Sequence, residues 1–311
     1  MTCLRFLIGL PLWLLAILCC GCNGGTPAAR QPTPEEARVG ESCRIDSAAL
    51  WQTIDADSLE RCHGIDALSA QAWMLVDDAT GTLISQRNAY RRMFPASLTK
   101  MMTCLLALEH GRMTDSIVVG KDVFVTRDSR LRPGDGYTEA NLIAEMMLQS
   151  DNVAAYALAK HIGGDMLSFV AMMNRKAQYL GMDSTHFANP NGMPNDSNYS
   201  SARDLLVLSR YCMRDSVFAR LAGTEFLDIP LLDRRHLPCH STNLLLTRYD
   251  GCIGVKTGYT RQAGDCLAAA ATRQGRTLQL VLLKSRSHDS RFDEAAKLLD
   301  YGFEMMGQGS R

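Results

Sequence analysis

The stretch PASLTKMMTCLLALEHG, residues 95–111, constrains the fold more than any other. Proline is pre-organised for the first turn of a helix, and glycine ends one. Between them Met101, Met102, Cys104, Leu105, Leu106, Ala107 and Leu108 leave almost no polar face. A helix that is apolar all round has to be enclosed by other elements. The spacing predicts a central, buried helix, with Ser97 and Lys100 at its start, at i and i+3 on one face. Both residues have ordinary explanations, the serine as an N-terminal cap and the lysine as a stem covering apolar atoms. Two fixed letters are weak alone, so the meaning of the pair depends on the rest of the chain.

The 311 residues are 46% hydrophobic and 21% charged, enough for one substantial domain or two small ones. Acidic and basic residues balance to a formal net charge of zero, which argues against a nucleic-acid partner. No internal repeat, basic block or acidic tail stands out.

The N-terminus has its own pattern. Arg5 precedes FLIGLPLWLLAIL, residues 6–18, and then CCGCNGG. One positive charge, a short apolar run and small residues read as a secretory signal over residues 1–22. The run is too short for a confident membrane span. Cys22, after Gly21, stands where bacterial lipoproteins carry their lipidated cysteine, although Cys19 occupies a position where leucine is usual. Residues 23–65 read as a tether rich in Pro, Gly and small residues, followed by a short extension. Of eleven cysteines, Cys3, Cys19, Cys20 and Cys22 belong to the signal. Cys43 and Cys62 bracket a helical-looking piece and are available to pair in an oxidising compartment. Cys104 and Cys212 fall in apolar helical patterns and read as packed thiols. The pairing of Cys239, Cys252 and Cys266 is left open.

From AWMLVDDATGTLISQRN onward the pattern is that of a folded domain, assigned to residues 66–308. Two apolar runs flank DDATG, a hairpin. Four segments with apolar residues recurring at three and four follow the buried helix: TEANLIAEMMLQS, NVAAYALAKHIGG, DMLSFVAMMNRKAQYLG and ARDLLVLSRYCM. A turn-rich loop, MDSTHFANPNGMPNDSNYS, separates the last two. Strand signals return in CIGVKTGY, GDCLAAAATRQ and RTLQLVLLKS, and RFDEAAKLLDYGFEMM is a final amphipathic helix. The expected class is α/β (α+β): one sheet covered by helices, with an all-helical lobe at about residues 112–215.

Three triplets now fall into order. Ser97-x-x-Lys100 opens the buried helix, Ser150-Asp151-Asn152 stands at a junction between helices, and Lys256-Thr257-Gly258 ends a strand before a hairpin turn. Ser-x-x-Lys, Ser-Asp-Asn and Lys-Thr-Gly, in that order, form the signature of class A β-lactamases and penicillin-binding proteins. PASLTKMMT, SDNVAAYALA, FVAMMNRKAQYLGMDSTHFANPNG, GVKTGYTRQAGDCLAAAA and AAKLLDYGF together resemble the low-molecular-mass penicillin-binding proteins, serine-type D-Ala-D-Ala carboxypeptidases of the cell wall. The resemblance runs from about residue 70 to near the C-terminus. Many members of that family have Gly or Ala where this chain has Asp151. Members often also carry a C-terminal β-domain and an amphipathic anchor that do not follow here, a role that lipid on Cys22 would fill.

The resemblance implies a β-lactamase/transpeptidase-like antiparallel sheet and acyl transfer through a serine. Ser97 would be the nucleophile and Lys100 its base, neutral because burial and a second cation, Lys256, lower its pKa. The backbone N–H groups of Ser97 and Tyr259 would form the oxyanion hole. Ser150 would relay the proton to the leaving amine. Asn152 would hold the substrate amide and Lys100, while Lys256 and Thr257, with Gly258 beside them, would bind the terminal carboxylate. Arg291 is a further candidate for that carboxylate, by resemblance. Commonplace roles exist for these residues too: a cap and turn for Ser150 and Asn152, and an exposed strand edge for Lys256 and Thr257.

The implied substrate is the D-Ala-D-Ala end of a peptidoglycan stem peptide, with β-lactam antibiotics as inhibitors and the membrane as partner through the lipid. No cofactor is called for. His236, Cys239 and His240 in RRHLPCH look metal-like, but they lack a fourth ligand and read as residues of a loop. The nearest rival is a class A-like β-lactamase. Such enzymes use a glutamate in a Glu-x-x-Leu-Asn motif to activate water, and here no glutamate follows Asn152 before Glu225. A non-enzymatic penicillin- or wall-binding sensor is the other alternative.

Overall fold

Strand-forming runs from opposite ends of the sequence meet in one sheet. In the computed structural model, residues 64–125 and 129–308 are described. The signal, Cys22, the tether and the Cys43 and Cys62 pair lie outside the described residues. In chain order the strands are β1 (Ala72–Asp77), β2 (Leu83–Arg87), β3 (Ser116–Val118), β4 (Gly136–Thr138), β5 (Phe226–Pro230), β6 (His236–His240), β7 (Cys252–Thr260), β8 (Gly264–Arg273) and β9 (Arg276–Ser285). The helices are α1 (Lys100–His110), α2 (Glu139–Leu148), α3 (Asn152–Gly163), α4 (Met166–Tyr179), α5 (Ala202–Cys212), α6 (Ser216–Ala222), α7 (Leu245–Arg248) and α8 (His288–Gln308).

The main sheet has the order β2-β1-β9-β8-β7 and is antiparallel throughout. Its first strand lies beside its last, with Trp73 opposite Leu282. Alternate residues feed two cores. Met74, Val76, Ala268, Ala270, Val281 and Leu283 join α1 and the other helices of the lobe. Trp73, Leu75, Leu267, Ala269, Leu280 and Leu282 pack under α8, against Phe292, Ala295, Leu298 and Leu299. Burial on both faces explains why LAAAA and LVLL are apolar without alternation.

The helix at the centre differs from expectation at its entrance. Residues Ala96–Thr99 form a 3₁₀ turn, and the α-helix starts only at Lys100. Two short hairpins, β3–β4 and β5–β6, were not anticipated. The second corrects the reading of RRHLPCH as loop, because residues 236–240 are strand β6. Thr138, Asp151, Asp165, Ser201 and Asp215 cap α2 to α6, each accepting from a backbone N–H of the first turn. Each such cap stabilises its helix by about 1 kcal/mol. Cys104, Cys212, Cys239, Cys252 and Cys266 are free thiols, all but Cys252 fully buried. Among the described residues no helix is long and apolar enough to cross a membrane.

Candidate active site

From residue 95 to residue 107 the chain is buried at every position except Ser97. The turn that presents Ser97 is tightly held from two sides. Ala96 takes a left-handed conformation with φ 49°. Against it lies Gly192, itself at φ +83°, where a Cβ would stand 1.8 Å from the Ala96 carbonyl oxygen. From the other side β7 crosses at Gly258, where a Cβ would stand 3.0 Å from the Ser97 amide nitrogen. Position 192 admits only glycine, and at Gly258 a side chain would force its neighbours to give, so the Ser97 backbone lies directly against the strand that carries Lys256-Thr257-Gly258.

Lys100 is completely buried, and its Nζ has three neighbours: Ser97 Oγ at 2.9 Å, Asn152 Oδ1 at 2.8 Å and the Asn191 carbonyl at 3.0 Å. Burial lowers its pKa to about 7, with the Asp151 carboxylate pulling the other way. As the first residue of α1, Lys100 also sits at the positive end of a helix dipole, which disfavours an ammonium. Lys256, buried nearby, is pushed well below the usual lysine range by burial, then by Lys100, then by Arg291. Repulsion between the two lysines acts on both, while desolvation is the main reason that Lys100 can stand neutral and accept a proton.

The Ser150-Asp151-Asn152 triplet bridges α2 and α3. Its capping residue is Asp151, whose Oδ1 accepts from Ala154 N at 2.9 Å while Oδ2 accepts from Ser129 Oγ at 2.7 Å. That leaves the flanking side chains for the cleft. Asn152 meets Lys100 through Oδ1, and its Nδ2 lies 3.9 Å from Met193 Sδ. Ser150, left-handed at φ 59° and half-buried, makes no side-chain hydrogen bond among the described residues.

On β7 the Lys256 amine is buried and donates to the Thr257 carbonyl at 3.1 Å. Thr257 Oγ1 is 2.6 Å from the hydroxyl of Thr242, whose backbone N–H is held by the Leu148 carbonyl at the end of α2. Tyr259, next to Gly258, turns its side chain outward at 61% exposure. Arg291, from the first turns of α8, is buried behind the strand, 3.2 Å from Asp265 Oδ1, and donates to the Gly258 carbonyl at 3.2 Å. It ties α8 to the Gly258 backbone, beside the residues expected to bind the carboxylate.

Several contributors carry no local signal in the sequence. Thr242 is a lone threonine after β6. The NPNG turn at residues 189–192 holds the entrance of α1, with its Pro190 carbonyl accepting from Thr103 Oγ1 at 2.6 Å and its Asn191 carbonyl accepting from Lys100. The turn lies within a segment noted above for resemblance and assigned no role there. The metal-like trio comes apart, because β6 alternates. His236 and His240 are exposed, the first 2.9 Å from Asp228 and the second stacked on Phe226, while Cys239 is buried against Glu145.

A serine hydroxyl beside a neutral-leaning amine, with a backbone N–H facing a glycine on an open sheet edge, can attack a carbonyl and hold the resulting oxyanion. Known proteins resemble this chain over most of the described residues. The D-alanyl-D-alanine carboxypeptidase family, peptidase S11, matches residues 60–287. The D-alanyl-D-alanine carboxypeptidase DacB2 of Mycobacterium tuberculosis is 35% identical over 250 residues, covering 78% of this chain and 84% of that protein. DacC of Escherichia coli is 33% identical over 270 residues, covering 82% of this chain. The chain spans only 64% of DacC and 63% of DacF of Bacillus subtilis. The crystal structure of the Streptomyces K15 DD-transpeptidase superposes with a TM-score of 0.73 at 32% identity, over 76% of this chain and 98% of the other.

Proposed function

The chain belongs to the D-alanyl-D-alanine carboxypeptidase family, and from that premise we propose that it removes the terminal D-Ala of peptidoglycan stem peptides through an acyl-enzyme on Ser97. The observation that carries the reading is Ser97 Oγ lying 2.9 Å from the Nζ of a buried lysine whose pKa is about 7. Neutral Lys100 takes the hydroxyl proton as Oγ attacks the carbonyl of the penultimate D-Ala. The oxyanion sits between the N–H groups of Ser97 and Tyr259. Lys100, through Ser150, returns the proton to the leaving nitrogen, so free D-Ala departs. Water then hydrolyses the ester by the reverse proton path. Lys256 and Thr257 bind the terminal carboxylate, while Asn152 orients both the amide and Lys100.

Penicillin acylates the same serine but keeps its leaving group tethered. Glu145 faces Cys239 in the interior, and Glu225 is exposed. Neither of these two glutamates faces Ser97, which favours a slow-releasing penicillin-binding protein over a β-lactamase. The peptidase domain comprises residues 66–308, with a helical lobe at about 112–215. Export by residues 1–22 and lipid on Cys22 place it at the outer face of the membrane.

The test is peptide mass spectrometry after brief exposure to penicillin, alongside D-Ala release from diacetyl-Lys-D-Ala-D-Ala. The expected result is a stoichiometric adduct on Ser97 and steady D-Ala release. An adduct elsewhere, or rapid penicillin hydrolysis with no D-Ala release, overturns the proposal.

A further inference from the structure

The catalytic cleft uses the near ends of α2 and α3, where Ser150 and Asn152 stand. Their far ends, about 15 Å away at 1.5 Å per residue, converge on a second cluster. Glu139 is the first residue of α2, His161 lies in the last turn of α3, and Asp115 immediately precedes β3. His161 Nε2 is 3.5 Å from Asp115 Oδ2 and 3.5 Å from Glu139 Oε2, and the three ligand atoms all lie within 4.8 Å of one another.

That spacing is too long for good hydrogen bonds, which for nitrogen and oxygen run about 2.7–3.2 Å. It matches the edge of a tetrahedron, about 3.4 Å, around an ion with bonds near 2.1 Å to nitrogen and oxygen. The backbone fixes the ligands before any ion arrives. Glu139 N donates to the Asp115 carbonyl at 2.8 Å, and Ala140 N donates to the Met113 carbonyl at 3.1 Å.

A second observation is that the Glu139 carboxylate is under-neutralised. Glu139 is 0% exposed. Its Oε2, the atom that faces His161, accepts from Arg112 N at 3.0 Å, while buried Oε1, packed against Gly111, has no hydrogen-bond partner. Nearby cations are engaged outside the cluster or reach it only from its rim. Lys160 pairs with Asp122, and the Arg112 side chain, 83% exposed, comes no closer than 3.7 Å to Asp115. Of the three residues only His161 borders an open cavity of about 380 Å³, lined also by Ser116, Gly120 and Asp122, so the imidazole side of the cluster faces solvent.

We propose that Asp115, Glu139 and His161 form a site for a divalent cation of the zinc type, bound by one imidazole and two carboxylates. The ion clamps the approach to β3 onto the far ends of α2 and α3, and so stiffens the pair of helices whose near ends carry Ser150 and Asn152.

The experiment uses the full chain, stripped of metal and titrated with Co²⁺. The expected result is one equivalent giving the intense visible bands of a tetrahedral nitrogen–oxygen site, displaced by Zn²⁺ and without thiolate charge transfer. Glu139→Gln should weaken binding about a hundredfold or more, beyond what loss of an outer partner costs. His161 is a third exposed at a helix end, so His161→Ala should keep its circular dichroism and penicillin acylation while losing the visible bands and the rise in Tm with Zn²⁺. No saturable Co²⁺ binding, thiolate bands, or binding unchanged in His161→Ala overturns the site.

Discussion

A β-carbon on Gly258 would stand 3.0 Å from the amide nitrogen of Ser97 and 3.1 Å from Ala96 Cβ. Strand β7 and the serine turn are thus too close for a side chain at position 258 without a shift of the neighbours, and in the proposed reaction this approach sets the width of the oxyanion site. Gly258→Ala should push the strand away and slow acylation about 10²–10³-fold, the range for losing one oxyanion donor. Stopped-flow acylation by a fluorescent penicillin measures it. A near-normal rate would show that the turn tolerates a wider gap. Gly192→Ala should be worse and lower Tm as well, because its Cβ meets the Ala96 carbonyl at 1.8 Å and its φ is +83°.

The basicity of Lys100 predicts a pH profile. Below its pKa of about 7 the amine carries a proton and cannot accept one from Ser97. Acylation should rise with pH through about 7 and level off above. Lys100→Ala should cost about 10²–10⁴-fold, the worth of general-base help, and should abolish the inflection. An inflection at unchanged pH in a residual activity of Lys100→Ala would point to another base.

Stability should follow the same lysines. The native pKa of Lys100 lies near 7, against 10.5 when solvated, and that of Lys256 is depressed too. Between those values the unfolded chain holds protons that the native state lacks, so stability rises as pH rises. Above about pH 8.5 the thiols of Cys104, Cys239, Cys252 and Cys266, all pushed up, act in the opposite sense. From pH 7 to about 8.5 Lys100 should add up to about 1.4 kcal/mol per pH unit, with Lys256 acting in the same sense. Urea unfolding of wild type and Lys100→Met checks this. The variant should lose one lysine's share of the slope, and an identical slope refutes the assignment.

At the carboxylate end, Lys256→Ala should weaken acylation by roughly 1.5–3 kcal/mol, the worth of a charge-assisted hydrogen bond. A substrate ending in an amide should lose a similar amount with the wild-type enzyme and nothing further with the variant. Thr242→Val removes the 2.6 Å partner of Thr257 and should raise KM with little change in kcat. A double-mutant cycle on Lys256 and the substrate carboxylate reads the coupling, and additivity would mean that the two never meet.

The sequence reading reached the large features because long periodic runs repeat their signal. The three C-terminal strands, the helical lobe and the three triplets all stand on such runs. Strands of three residues such as β3 and β4 show too few alternations to be seen. β6 is harder still, since His236 and His240 on one face and Cys239 on the other mimic a cluster in one dimension. The contact of Lys100 with the Asn191 carbonyl joins positions 91 apart, which no local period encodes. Burial of Lys100 could be inferred from its greasy neighbours, but the opposing charge of Asp151 depends on how α3 is aimed.

The pairing of β1 with β9 carries a consequence for how the protein comes into being. Trp73 finds Leu282 only after nearly the whole domain has been made. Closing so long a loop adds little to the free energy, since that cost grows only with the logarithm of length, but non-local pairing of this kind is slow. A chain emerging N-terminus first can therefore assemble its helices early, yet its reactive serine has no strand to lean on until β7, β8 and β9 have been delivered. The proposed activity therefore depends on the last fifth of the polypeptide, and a chain ended before β7 would lack the strand that the serine turn leans on.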